Sequence, residues 1–203
     1  RRTWLVFTDL AGVAARAVAR LRGAGHRVVT VQAGDSFARM GEDAFVISPE
    51  RGREDYDRLL RELVANGLAP QRIAHFWLVT DAENFRPGSS FFHRNQEQGF
   101  WSLLFLSQAL AEENLPRPIH IAAFTTGAAR VKSERLAYPD KATLQGPLRV
   151  IPREFPGVTC SSLDLTLPGK AGLDALTDRI IEELLAEPAN LTAALRGDRR
   201  YEL

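Results

Sequence analysis

Thr126, Tyr138 and Lys141 are the residues of this chain whose types could reduce a carbonyl. Such a site needs a hydroxyl, a tyrosine to donate the proton, and a lysine at Tyr-x-x-x-Lys spacing to lower the tyrosine pKa. Here the run is Tyr138-Pro139-Asp140-Lys141, a spacing of three rather than four. Pro139 fixes its own φ and turns Tyr138 away from helical geometry, so the two side chains are not expected on one helical face. No catalytic residue is assigned.

A second constellation is the turn Thr8-Asp9-Leu10-Ala11-Gly12-Val13, which follows the first apolar run. A dinucleotide site at this place uses G-x-G-x-x-G, with glycines for the tight turn, for close approach to the diphosphate and for helix-on-strand contact. Only Gly12 remains, so the room for a diphosphate is expected to be lost. The second apolar run ends Val31-Gln32-Ala33-Gly34 with no acid to hold a ribose, and Asp35, beyond the glycine, reads as a turn residue. No cofactor-binding residue is assigned.

The other reactive residues are scattered. His75 and His120 lie among apolar neighbours and read as hydrogen-bonded core histidines; His26 stands apart. His93, in Phe91-Phe92-His93-Arg94-Asn95, falls in a polar, irregular approach to a helix, where loops carry function. Cys160 sits in an apolar run and reads as a core residue, because no Cys-His pairing accompanies it. Pro168-Gly169-Lys170-Ala171-Gly172 lacks the first glycine and the final Ser or Thr of a phosphate loop and reads as a helix start. Arg196-Gly197-Asp198 reads as a hairpin turn. No metal set is assigned.

Twenty-six Lys and Arg against 25 Asp and Glu leave a net charge of +1 in 203 residues, which argues against nucleic acid or an anionic membrane as partner. One cysteine excludes an internal disulfide and suits a reducing cytoplasm. The apolar runs fall short of the ~20 residues of a membrane span, and the start does not read as a signal peptide. A single domain over residues 1–203, excised from a longer polypeptide, is expected.

The elements that would position these residues alternate. Trp4–Phe7, 26–31, Ile73–Val79, Ile119–Phe124 and Val158–Leu165 read as strands, several of them continuous apolar runs covered on both faces. Helices are expected over 14–21; from Glu54, with Tyr56, Leu59, Leu60, Leu63 and Val64 on one face; over Phe100–Ala111; over Lys141–Ile151, ending at Pro152; and over Asp174–Ala186, with Leu176, Ile180, Ile181, Leu184 and Leu185 inward. The Phe100–Ala111 helix is apolar enough to lie against the sheet or a partner. Residues 37–39 with 44–47, and 191–195 with 199–203, read as hairpins. Thr125-Thr126-Gly127 reads as a turn and 89–98 as irregular. The fold class is α/β, a truncated Rossmann-like, mainly parallel sheet with helices on both faces.

Several segments together carry a family likeness: Trp4-Leu5-Val6-Phe7 with Asp9 and Gly12, Gly25-His26-Arg27-Val28-Val29, Gly34 before Phe37, Ile47-x-Pro49, and Asp55-Tyr56. Further along come Ile73-Ala74-His75-Phe76-Trp77, Pro139-Asp140-Lys141-Ala142, Gly146 to Pro152 with Glu154 and Pro156, and Arg199-Arg200-Tyr201. In order and spacing the chain resembles the structural subdomain of the ketoreductase in modular type I polyketide synthases, particularly of hybrid polyketide/peptide assembly lines. The resemblance implies a half that is short-chain dehydrogenase/reductase-like in fold, binds no NADPH and packs against a following catalytic half. That half would hold the NADPH and reduce a β-ketoacyl group carried on the phosphopantetheine of an acyl carrier protein. Two rivals stay open: an atypical reductase using His93, or Tyr138 with Lys141, and an interaction domain in a nonreducing module.

Overall fold

The computed structural model describes residues 1–81 and 90–203. Apolar runs flanked by turn residues become strands: β1 (Thr3–Phe7), β2 (Arg27–Ala33), β3 (Ala38–Gly41), β4 (Ala44–Ile47), β5 (Arg72–Leu78), β6 (Ile119–Thr126), β7 (Val158–Leu165), β8 (Leu191–Arg196) and β9 (Arg199–Glu202). Among the described residues they form one sheet in the order β3-β4-β2-β1-β5-β6-β7-β8-β9. The inner pairs are parallel; β3 with β4 and β8 with β9 close the two edges as antiparallel hairpins. The order reverses between β1 and β5, which leaves a crevice at the carboxyl ends of these strands.

Alternate side chains of each strand enter two cores. Leu5 and Phe7 point to the face covered by α2 (Glu54–Ala65), α4 (Ser102–Glu112) and α5 (Gln145–Glu154). Trp4 and Val6 point to the face covered by α1 (Val13–Gly23) and α6 (Leu173–Leu185). This is the expected Rossmann-like sheet with helices on both faces. In α4, Leu103, Leu106, Ala109 and Leu110 bury against the sheet, while Trp101 just before it stays 44% exposed.

The structure departs from the sequence reading in several places. The approach read as irregular is helical from Phe91: α3 (Phe91–Gln96) runs through a π turn, Glu97–Trp101, straight into α4. Ser89, the first residue of that stretch, lies outside the described residues. Thr125 and Thr126 belong to β6 rather than to a turn, because they pair with Asp164 and Leu165 of β7. The helix read from Lys141 starts as a 3-10 turn, Pro139–Leu144, and α5 continues past Pro152 to Glu154. A proline so near the end of a helix removes one hydrogen bond without stopping the last turn. Val64 and Leu185, read as inward, are exposed at the rims of their helices.

Candidate functional site

The turn after β1 is shaped by Asp9. Its carboxylate accepts the backbone N–H of Val13 at 3.1 Å and of Ala14 at 2.7 Å, the first amides of α1. Helix N-termini leave these donors unpaired and carry partial positive charge, which is why phosphates seek them. Here a side-chain anion already holds them. Burial pushes the Asp9 carboxyl above the usual carboxylate range, and the amide bonds pull part of that shift back. Gly12 caps α1 at φ +86° with nothing within 4 Å of an added Cβ, so its glycine is required by backbone conformation.

Asp9 stands at the rim of the switch-point crevice, about 550 Å3, with Gln32 and Ala33 of β2, Trp77 of β5, Thr80 and Asp81 beyond it, and Arg94 and Gln98 from α3 and the π turn. A diphosphate brought to the start of α1 meets a carboxylate in the position its oxygens need. The residues present do not fit that group. Asp35, exposed after Gly34, does not line the crevice.

The carbonyl-reduction trio lies beside this crevice, where Thr80 is a shared neighbour. Lys141 is fully buried, and its Nζ donates to Thr80 Oγ1 at 2.5 Å, Thr126 O at 3.1 Å and Thr126 Oγ1 at 3.1 Å. The same ammonium sits 4.5 Å from the centroid of the Tyr138 ring. Pro139 does hold Tyr138 out of helical geometry, at φ −133° and ψ 73°, as expected. The Lys141 N–H donates to the Tyr138 carbonyl at 3.1 Å, so the 3-10 turn Pro139–Leu144 starts directly after the tyrosine. Thr126 in turn accepts the N–H of Thr80 at 3.0 Å, which ties the ends of β5 and β6 together. Thr126, Tyr138 and Lys141 thus meet without Tyr138 and Lys141 sharing a helical face, the lysine turned to the strand ends and to the face of the tyrosine ring.

The remaining candidates stay apart from this cluster. His75 is buried, bonded to Ser102 Oγ at 2.8 Å and stacked on Phe7, and burial lowers its pKa to about 3. His120 bonds Thr159 Oγ1 at 2.8 Å and Ser161 Oγ at 3.1 Å, and burial lowers it to about 4. Both are core histidines, as read. His26 accepts the N–H of Arg2 at 3.2 Å, at the amino end of β2, and His93 is an exposed residue of α3 against Phe92. Cys160 is buried, and burial pushes its thiol up to about 12. Gly169 leads through a short 3-10 turn into α6, and Gly197 with Asp198 forms the β8–β9 turn.

Sequence reasoning missed one network. Asp164, buried at the end of β7, accepts from the Thr125 hydroxyl at 2.7 Å, the Ala128 N–H at 2.8 Å and Arg196 at 2.8 Å. Its members come from three strands and a loop, so no local spacing announces them. Among the described residues no three His, Cys, Asp or Glu side chains gather to hold a metal ion, and no helix is long and apolar enough to cross a membrane.

Residues 4–183 match the family model described as beta-ketoacyl synthase-like, N-terminal. The chain belongs to that family. No curated protein matches it in sequence. Among solved structures this family member is similar to an adenylation, ketoreductase and pseudo-Asub multidomain structure of a keto acid-selecting NRPS module, at TM-score 0.83 and 24% identity over 99% of this chain and 16% of that one. It is similar to a C2-type ketoreductase from a modular polyketide synthase, at 0.63 and 24% over 98% and 39%. It is also similar to an oxidoreductase (short chain dehydrogenase/reductase) from Brucella ovis, at 0.70 and 19% over 97% and 100%. The chain thus spans 16% of the first of these and 39% of the second, and shares its fold with the whole of the third.

Proposed function

We propose that this chain is a noncatalytic structural half of a ketoreductase. It braces a catalytic half that holds NADPH and reduces a carrier-bound β-ketoacyl group in the cytoplasm, among the domains of a polyketide synthase. The observation that carries this reading is Asp9, whose carboxylate fills the amide pair of α1 that a dinucleotide diphosphate uses. Likeness in fold to ketoreductases of multidomain assemblies supports it. Titrating the chain with NADPH, followed by nicotinamide fluorescence and calorimetry, is expected to give no saturable binding. Saturable binding overturns the reading.

The gathering of Thr126, Tyr138 and Lys141 favours a second reading, an atypical reductase acting through these residues. It requires NADPH oxidation by the chain with a β-ketoacyl thioester, abolished in Tyr138→Phe. The first reading assigns Lys141 to holding the strand ends and expects no turnover from either protein.

A further inference from the structure

We propose that residues 127–138, the loop from β6 to the 3-10 turn, form a preorganised cationic docking surface for an acidic protein surface. The inference is independent of the function proposed above and holds whether or not the crevice accepts a nucleotide. Arg130, Lys132 and Arg135 are exposed on this loop and form no ion pair among the described residues. Elsewhere Arg16, Arg20, Arg53, Arg58 and Arg179 each face a carboxylate, but the exposed Arg149 and Arg153 of α5 form no ion pair among the described residues either, so what sets this loop apart is how it is held. The one acid of the loop, Glu134, is held by the scaffold although its side chain is 41% exposed: both its oxygens accept from Arg196 Nε at 3.0 Å, and one accepts the Val131 N–H at 3.1 Å. Its charge is spent on the scaffold, and three cations face outward.

The loop is held as well as charged. Arg196 is also bonded to Asp164 and to the Ala129 carbonyl, Asp164 takes the Ala128 N–H, and Val131 is buried. Lys132 stands at the tip of a turn closed from Glu134 N–H to Val131 O, at φ +54°, a conformation that favours glycine or asparagine. A lysine kept at such a position, its ammonium 5.6 Å from the Tyr201 ring centroid, is strained backbone in the service of a placed charge. Cations spread along an open loop suit several carboxylates on a facing surface; one small anion needs donors that converge. Fixing them beforehand lowers the ordering cost of binding.

The probe is a fluorescent helical peptide of about 20 residues with glutamates along one face, compared by anisotropy with its glutamine counterpart at low and high salt. The glutamate peptide is expected to bind, more weakly as salt rises, and the glutamine peptide not to bind. The triple variant R130Q/K132Q/R135Q should weaken binding about tenfold, whereas R16Q/R20Q, which removes two charges elsewhere, should leave it unchanged. Arg196→Lys keeps the charge but cannot reach Glu134, Asp164 and the Ala129 carbonyl at once, so the Ala128 and Val131 amides should exchange faster and the peptide bind more weakly. If that variant does not fold, Glu134→Gln replaces it. It adds a positive charge yet loosens the loop, so weaker binding supports preorganisation and tighter binding overturns it. Equal binding of the two peptides, an unaffected triple variant, or inorganic pyrophosphate competing with no preference for the glutamate peptide also overturns the proposal.

Discussion

Asp9 binds two amides of α1 and neutralises part of the helix dipole, against the cost of burying its own charge. Asp9→Ala is expected to lower stability by about 1 kcal/mol, read by urea denaturation. It also bares the Val13 and Ala14 amides, so inorganic pyrophosphate should titrate into the variant by calorimetry and not into the unsubstituted chain. Heat signals that do not differ between the two would contradict the blocking role. Lys141 is the second residue on which much depends, since its buried ammonium donates to the Thr80 hydroxyl and to both the carbonyl and the hydroxyl of Thr126. Lys141→Ala adds a cavity to that loss and should cost about 3 kcal/mol, while Lys141→Met, close in volume, should cost less. The sequence carries a hint of Asp9, an acid placed just ahead of a helix start. Of the Lys141 cluster it carries the residues but not their meeting, because Tyr-x-x-x-Lys is an α-helical template and Lys141 lies in a 3-10 turn that starts after Tyr138.

At the scale of elements, the loop that joins β6 to the 3-10 turn depends on Gly127. Its φ is +73°, and an added Cβ would lie 2.6 Å from Tyr138 Cδ2 and 3.0 Å from Ala137 Cβ. Tyr138 N–H also bonds the Gly127 carbonyl at 2.8 Å, so the glycine and the tyrosine cannot part cheaply. Gly127→Ala should therefore destabilise the chain by about 2 kcal/mol, measured by thermal melting, with faster amide exchange concentrated in residues 127–138. The strands were the most legible elements, because a parallel strand covered on both faces is a nearly continuous apolar run, as in Trp4–Phe7 and, but for His75, Ile73–Leu78. Phe91-Phe92-His93-Arg94-Asn95 hid its helix because only Phe91 and Asn95 of it are buried, too few to print a period. Thr125 and Thr126 hid their place in β6 because polar residues at the end of a strand look like a turn until the partner strand is known.

For the whole molecule, the two cores on either side of the sheet set how stability responds to acid. His75 and His120 stand in adjacent central strands, and burial holds both neutral, from an ordinary 6.5 down to about 3 and about 4. Below pH 6.5 the unfolded chain takes up protons on these rings that the folded chain refuses, so the unfolded state binds more protons and stability falls with pH. Their contribution is complete above that value and is lost as pH drops toward 4 and then 3. Glu134, held below its ordinary value by the Val131 amide and Arg196, adds to the same acid limb; Asp9, raised by burial, opposes it. The loss should amount to a few kcal/mol, seen as a urea midpoint that declines from about pH 6.5 to about pH 4. His75→Gln keeps a partner for Ser102 Oγ and cannot charge, so it should flatten that decline, and adding His120→Gln should flatten it further. Midpoints that fall as steeply in the double variant as in the unsubstituted chain would assign the acid limb to the carboxylates instead.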